Sequence, residues 1–383
     1  MKQEVKAFIH EHQKKPAAEI ALLLSKKPAL PKEYILNQIN GIQRAVKKFP
    51  FLLDLDGFEY PDSRAIEQSS SQESAKYKAQ LVKGKSVIDL SGGMGMDSYF
   101  LSKEFEEVHY IEQNASLFQI TSSNFSNSLQ ASNIEAYSTD ALYFLNHFDR
   151  KVDLIYLDPD RRSIKEKAFQ IEDCEPNVAE LLPLIFQKSK YCLIKLSPML
   201  DITQALGQLK QCKEVHVVSI KNECKELLFL LERDYEGEPI IIAEELEERN
   251  HYSFHFHLSN EKQLSISYNE PQQFLYEPAA AIRKAGAFKT IADNFKIEKL
   301  AVNTHLYTSA ERKEGFPGRV LRVLDIIPPK KGLVKKANVV SRNFPMEVEG
   351  IKRKYKISDG GNTFLYACSL GSGKKVFIHC EKA

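Results

Sequence analysis

Through the first eighty residues, apolar positions recur every three or four places, in KQEVKAFIHEH, PAAEIALLLSKK and PKEYILNQINGIQRAVKKF. That spacing puts them on one face of a helix. Pro16 and Pro31 stand at the front of the second and third segments, where the N–H that proline lacks has no helical partner to lose. A polar, Ser-rich stretch, EYPDSRAIEQSSSQESA, reads as a loop leading into a further helix, AKYKAQLVK. The spacing then changes. From 86 to 234, short β runs alternate with helix-like segments: SVIDL, EVHYIEQ, IEAYSTD, VDLIYLD and YCLIKLS. VHVVSIK and ELLFLLERD follow, separated only by NECK, so they read as an antiparallel hairpin. This order predicts an α/β fold, a doubly wound Rossmann-like sheet of parallel units ending in an antiparallel hairpin, behind a helical N-terminal region.

PIIIAEEL and YSFHFHLS continue as strands that extend or brace the sheet. EPAAAIRKAGAFKTIADNF reads as one helix, and KLAVNTHLYTS and GRVLRVLDIIPP as further β segments. The run from Pro328 to Gly332 is a candidate linker. The last fifty or so residues, from NVVSRNFP, read as a small α+β module. The expected organisation is a helical region over 1–80, a β/α domain over 81–265, a smaller element over 266–328 and a basic domain over 329–383.

Composition narrows the class. A chain with 43% hydrophobic and 27% charged residues is of the soluble globular type. No run approaches the roughly 18 apolar residues that a membrane span needs. The N-terminus, MKQEVKAFIHEHQKK, has no apolar core of a signal peptide. Six dispersed cysteines without a CxxC pair predict reduced thiols in a cytoplasmic protein and no zinc site. His251, His255 and His257 have no acidic or cysteine cluster beside them and read as surface strand histidines, so no metal is expected. The net charge of +2 conceals an asymmetry. Residues 281–383 hold 21 Lys+Arg against 9 Asp+Glu, a net +12, while the rest of the chain carries −10. Such sorting fits a region that meets a polyanion, or a solvated basic surface.

The chemistry concentrates at the ends of the β runs. In VIDLSGGMGMDSYFL an apolar run ends at Asp89, and Gly92, Gly93 and Gly95 crowd one turn. Glu112 follows the second run, at the distance where a carboxylate accepts ribose hydroxyls. Asp140 follows the third run, suited to an adenine amino group, and Asp158-Pro159 follows the fourth. Ligands of doubly wound sheets bind at these strand ends. A dinucleotide site accommodates a pyrophosphate and keeps negative charge away from it. Here Asp89 stands at the turn's entrance and would repel pyrophosphate but hold a cationic amino group. S-adenosylmethionine carries an ammonium, a sulfonium and no phosphate. The candidate cofactor set is therefore Asp89, Ser91, Gly92, Gly93, Gly95, Asp97, Glu112, Asp140 and Asp158, with S-adenosylmethionine as the expected cofactor. Singly, Asp89 could instead cap the next helix, and Glu112 and Asp140 could be ordinary strand-end carboxylates.

Residues 86–234 resemble a class I S-adenosylmethionine-dependent methyltransferase, and DLSGGMGMDSYFL is similar to the glycine motif of RNA methyltransferases. DPDRR, together with AGAFKTIADNF, NTHLYTS, FPGRV, NVVSRNFP and YKISDGGNTFLYACSLGSGKKVFIHC, resembles the bacterial THUMP-like-domain-containing methyltransferases. The resemblance covers most of the chain. It implies a ferredoxin-like element over 266–328 and a THUMP-like domain over 329–383. THUMP domains are associated with structured RNA, particularly tRNA, so the resemblance implies a tRNA or rRNA partner.

Methyl transfer requires the acceptor in line with the methyl group and a base where a proton must leave. The expected catalytic residues are Asp158 and Pro159, in VDLIYLDPDRR. Enzymes that methylate exocyclic amines often carry Asp/Asn-Pro-Pro-Tyr/Phe here, the aromatic residue stacking a flipped base; this chain departs from that pattern with Asp160 and Arg161. Arg161 and Arg162 could clamp a phosphate or pair with nearby acids. Ser197 and Pro198 of KLSPM are candidate pocket residues, and the Ser-rich loop at 69–72 is a candidate cover for the cofactor. Lys335, Lys336, Arg342, Lys352, Arg353 and Lys354 complete the expected RNA-binding set, with Phe344 and Tyr355 interleaved for base stacking. Other readings stay open at this point: a protein or small-molecule methyltransferase, a non-catalytic RNA-binding protein with a vestigial cofactor fold, or a dehydrogenase.

Overall fold

A computed structural model describes residues 3–161, 174–247 and 251–383. The chain opens with α1 (Gln3–His12), α2 (Ala17–Ser25), α3 (Lys32–Lys48), α4 (Ser63–Gln68) and α5 (Gln72–Gln80). Next come β1 (Ser86–Asp89), α6 (Met96–Leu101), β2 (Glu107–Ile111), α7 (Ala115–Asn127), β3 (Ile134–Tyr137), α8 (Ala141–His147) and β4 (Val152–Leu157). A short pairing of β5 (Asp160–Arg161) with β6 (Cys174–Glu175) precedes α9 (Val178–Lys188) and β7 (Ser189–Leu196). After α10 (Ile202–Gln208) come β8 (Cys212–Ile220), β9 (Glu223–Glu232), β10 (Ile240–Glu245) and β11 (Tyr252–His257). The large sheet has nine strands in the order β11-β10-β8-β9-β7-β4-β1-β2-β3. The chain divides into two compact units: residues 1–196, 203–213 and 229–236, and residues 197–202, 214–228 and 237–383.

In the first unit, each pairing from β3 through β2, β1 and β4 to β7 is parallel. The chain runs outward from β1 in both directions, so the strand order reverses beside β1 and β4. That is where a doubly wound sheet opens a crevice. The N-terminal helices form as the apolar spacing predicts: Val5, Phe8, Ile20, Leu24, Ile35 and Ile39 share one core. A second core places Phe49, Leu52 and Phe58 against Met94, Met96, Tyr110 and Phe125. It backs the glycine turn with large side chains, each worth about 1.5–3 kcal/mol when fully buried. One expectation fails here. The stretch around SRAIEQ, read as loop, is helix α4, because the Asp62 carboxylate caps it by accepting from the Ala65 N–H at 2.9 Å.

In the second unit, Lys221 and Asn222 turn β8 into β9 with φ of 54° and 59°. Two successive left-handed residues match the twist of a tight hairpin. β10 pairs with β8 in parallel, and β11 with β10 antiparallel. Next come α11 (Leu258–Gln263), β12 (Phe274–Pro278), α12 (Ala280–Ala285) and α13 (Phe288–Phe295). The single helix expected over EPAAAIRKAGAFKTIADNF is thus two, broken where Gly286 takes φ +81°. The chain closes with β13 (Glu298–Ala301), β14 (Thr304–Ser309), β15 (Gly318–Ile327), β16 (Asn338–Arg342), α14 (Val348–Tyr355), β17 (Thr363–Ser369) and β18 (Lys375–Lys382). These strands and β12 form a seven-stranded sheet, β13-β14-β12-β15-β18-β17-β16. Among the described residues no helix is long and apolar enough to cross a membrane.

Candidate active site

The carboxyl ends of β1 to β4 open on a cavity of about 770 Å3 that lies wholly within the first unit. The glycine turn forms its floor, and each glycine has its own reason. A Cβ on Gly92 would fall 2.2 Å from the Tyr110 ring, and one on Gly95 2.5 Å from Phe125. At those two positions the protein, not the ligand, leans on the backbone. Gly93 is different: it has φ +55° and only an ordinary contact at its Cβ position, Ser91 O at 3.6 Å, and it lines the cavity. Its carbonyl accepts from the Tyr110 hydroxyl at 2.7 Å and from Thr121 Oγ1 at 3.2 Å.

Asp89 was expected to face the ligand. Its carboxylate is 1% exposed, and the residue is not among those that wall the cavity. It accepts from Ser98 Oγ at 2.6 Å and from the Ser91 N–H at 3.0 Å, so it ties the turn to the helix that follows. Burial lifts its pKa to about 7, against the opposing hydrogen bond from Ser98. Ser91, in turn, accepts the Asp158 N–H at 2.6 Å, linking the β1 and β4 loops.

The carboxylate that does reach the cavity from this turn is Asp97, in the first turn of α6. It pairs with the buried Lys78 ammonium at 2.8 Å. It also accepts from the Tyr156 hydroxyl at 2.9 Å and from Ser70 Oγ at 3.0 Å. Burial works to raise its pKa, but Lys78, Lys195 and the hydrogen bonds outweigh burial and hold it below the ordinary carboxylate range. Lys78 was missed in the sequence. The signal was present, since it sits among Ala75, Ala79 and Val82 on the buried face of α5 and its end, where a lysine needs an acidic partner.

Glu112 lines the cavity and accepts from the Gly93 N–H at 2.9 Å and the Asn114 N–H at 2.7 Å. A carboxylate offers about four acceptor positions, so two backbone donors orient it without exhausting it. Asp140 caps α8 through the Tyr143 N–H at 2.8 Å and also faces the cavity. Asp158 forms an ion pair with Lys195, and half-buried Pro159 follows it. Two further walls were not foreseen: the segment from Asp62 to Gln68, and the segment from Cys174 to Leu181. The Ser-rich stretch contributes Ser69 to the wall, while Ser70 anchors to Asp97 and Ser71 caps α5. Among the described lining residues, seven carry carboxylates and one, Arg64, carries positive charge.

A second acidic cluster, Glu107, His109 and Glu135, has ligand atoms within 4.8 Å of one another. Arg150 already lies there, 2.8 Å from Glu107 and 3.2 Å from His109, so a guanidinium fills the position a cation would take.

The expected RNA-binding residues separate into groups. Lys335, Lys336, Arg353 and Lys354 are exposed. Lys352 pairs with Glu349 at 2.8 Å and Asp359 at 2.6 Å, and Arg342 with Glu277 at 2.5 Å. Arg161 takes part in the short β5–β6 pairing through its backbone, and Arg162 lies outside the described residues. Phe344 and Tyr355 do not stand ready to stack bases. Tyr355 is 6% exposed and packs edge-on against Phe377 at 4.9 Å; half-buried Phe344 joins the same core.

A parallel sheet with an acidic cavity over its switch point is the architecture of a Rossmann-like methyltransferase domain. A family profile described as a ferredoxin-like domain matches residues 274–317, and one described as THUMP domain-like matches 318–382. The crystal structure of a "putative methyltransferase" from Porphyromonas gingivalis W83 is 30% identical, with a TM-score of 0.87 over 100% of this chain and 99% of that one. The chain belongs to the family of THUMP-like-domain-containing methyltransferases. Two other solved structures, a "putative rRNA-methylase" from Clostridium thermocellum and a "putative methyltransferase" from Streptococcus mutans in complex with SAH, each cover 42% of the chain. They are 14% and 15% identical, cover 95% and 94% of their own chains, and both have a TM-score of 0.32, too low to carry an argument. No curated protein matches the chain.

Proposed function

We propose that the chain uses S-adenosylmethionine to methylate a base in structured RNA. The observation that carries the cofactor reading is the charge of the cavity. Among the described lining residues, seven carboxylates, two of them paired with Lys78 and Lys195, stand against one arginine, a poor home for pyrophosphate and a good one for a ligand bearing an ammonium and a sulfonium. The volume accommodates the cofactor and leaves room for an acceptor base.

S-adenosylmethionine would supply a methyl group on a sulfonium centre. Asp97, kept ionised by Lys78, attracts the cationic end. Glu112, oriented by the Gly93 and Asn114 N–H groups, receives ribose hydroxyls, and Asp140 an adenine amino group. Gly93 lets this part of the ligand approach the backbone. Asp89 and Ser91 act indirectly, by fixing the turn and the β4 loop. Asp158, steadied by Lys195 and by the stiff Asp158-Pro159 step, presents its remaining lone pairs to an N–H of the acceptor. In the basic domain, exposed Lys335, Lys336, Arg353 and Lys354 contact phosphates. Their exposure, and the family's THUMP-like domain, support the RNA reading.

The test is transfer of tritiated methyl from S-adenosylmethionine to total RNA from cells lacking this protein. Label that is ribonuclease-sensitive and absent with Asp158→Ala is the expected result. Label confined to the protein fraction would overturn the RNA acceptor. No label in any fraction, from folded protein that binds the cofactor, would favour a non-catalytic scaffold.

A further inference from the structure

Two arginines hold one carboxylate in the second unit, and a third, Arg283, lies within its electrostatic reach. Glu277, in β12, is 6% exposed. It accepts from Arg319 Nη1 at 3.1 Å, from Arg342 Nε at 2.9 Å and from the Tyr366 hydroxyl at 2.7 Å. Arg319 is its cross-strand neighbour on β15, and Arg342 ends β16. Both guanidiniums are reachable from solvent, their side chains 41% and 32% exposed.

The third arginine has no such arrangement. Arg283, in the last turn of α12, is half-buried, and its Nε is shut off from solvent with no hydrogen-bond partner among the described residues. Burial, and then the charge of Arg342, push its pKa down, with Glu277 only partly offsetting them. His305 feels the same field. Burial first, then Lys299 and Arg283, lower its pKa to about 4, so it stays uncharged near neutral pH.

Two guanidiniums bond to the one carboxylate and a third feels its charge, which leaves the three arginines and Glu277 with an excess of two positive charges. Like charges brought together partly out of water repel strongly, and an unpaired buried N–H carries a desolvation cost. An oxyanion seated between them would reverse both terms. The planar fork of a guanidinium matches two oxygens of a phosphate. Among the described residues, Arg319 commits Nη1 to Glu277 and Tyr366, while Arg342 gives Nε and Nη2 to Glu277 and Nη1 to Ser341, so the open edge of the pair is Nε and Nη2 of Arg319.

We propose that Arg283, Arg319 and Arg342 form a binding site for one phosphate group. Glu277 is then the brace that holds two of the forks, and Arg283 is the arm that waits for the ligand. The site itself stands on the side chains alone. Its natural source of phosphate, an RNA strand, rests on the function proposed above.

Thermal unfolding of the full chain in sodium phosphate, against sodium chloride of equal ionic strength, tests the site. Phosphate should raise the wild-type Tm by mass action. Arg283→Met should fold with a Tm in chloride equal to or above the wild type, since it removes a buried N–H without a partner, and should bind inorganic phosphate at least tenfold more weakly. Arg283→Gln, which retains an N–H donor, should behave in the same direction. A wild type with no phosphate response, or one that survives in both variants, would overturn the proposal. An RNA hairpin separates the sources. Loss of hairpin affinity in Arg283→Met assigns the phosphate to RNA. Unchanged hairpin affinity beside a lost phosphate response assigns the site to free phosphate and withdraws only the RNA source.

Discussion

The cavity of the first unit and the arginine cluster of the second confront the same problem, buried charge, from opposite sides. In the cavity, Lys78 pairs with Asp97 directly at Oδ1, and Ser70 and Tyr156 both donate to its Oδ2. In the arginine cluster, one carboxylate bonds to two guanidiniums, and among the described residues Arg283 Nε has no hydrogen-bond partner. The first arrangement is balanced in charge at Asp97 and sits in an acidic wall. The second is short of negative charge. The difference separates residues that hold the fold from residues that await something.

Lys78→Met breaks the completed side most severely. It leaves the Asp97 carboxylate buried without its cation, a loss of about 3–5 kcal/mol. Chemical denaturation should show a midpoint far below wild type. A variant within 1 kcal/mol would mean that Asp97 is not held as described. Asp89 supplies the next effect. Its folded pKa of about 7 lies above the ordinary 3.8, so the folded chain holds a proton that the unfolded chain releases. Stability contributed by this group therefore falls as pH rises from about 4 to about 7, by at most about 4 kcal/mol. Asp89→Asn, which still accepts from Ser98, removes that slope, so its stability relative to wild type should rise across the same interval. A pH-independent difference would contradict the buried, weakly solvated placement. The smallest effect belongs to the exposed basic surface. Lys354→Ala should change stability by less than about 0.5 kcal/mol while lowering the salt dependence of RNA binding by about one counterion. An unchanged salt slope would remove Lys354 from the RNA surface.

The contrast also marks what could be read from the chain. The parallel units, the hairpin and the first three N-terminal helices follow from local spacing, and local spacing is visible in a sequence. Glu112 and Asp140 sit at strand ends, so counting along the β runs places them at the cavity. Asp89 and Asp97 could not be told apart that way. Both flank the same turn, and which one faces outward depends on Ser98 and Lys78, whose positions come from packing. The walls at 62–68 and 174–181 arrive from segments distant in sequence. Tyr355 and Phe344 looked like stacking residues because they are interleaved with lysines. On α14 and its flank, however, the same spacing turns them inward, against Phe377. Arg283 carried no signal at all, because a lone arginine at the end of a helix is ordinary until Arg319 and Arg342 are beside it.

Calorimetric titration with S-adenosylmethionine, with NAD as the control, tests the central claim most directly. The wild type should bind S-adenosylmethionine and not NAD. Glu112→Ala should weaken binding by about 1.5–3 kcal/mol, the worth of a hydrogen bond to a charged group. A folded wild type that binds NAD, or binds neither ligand, would contradict the account of the acidic cavity.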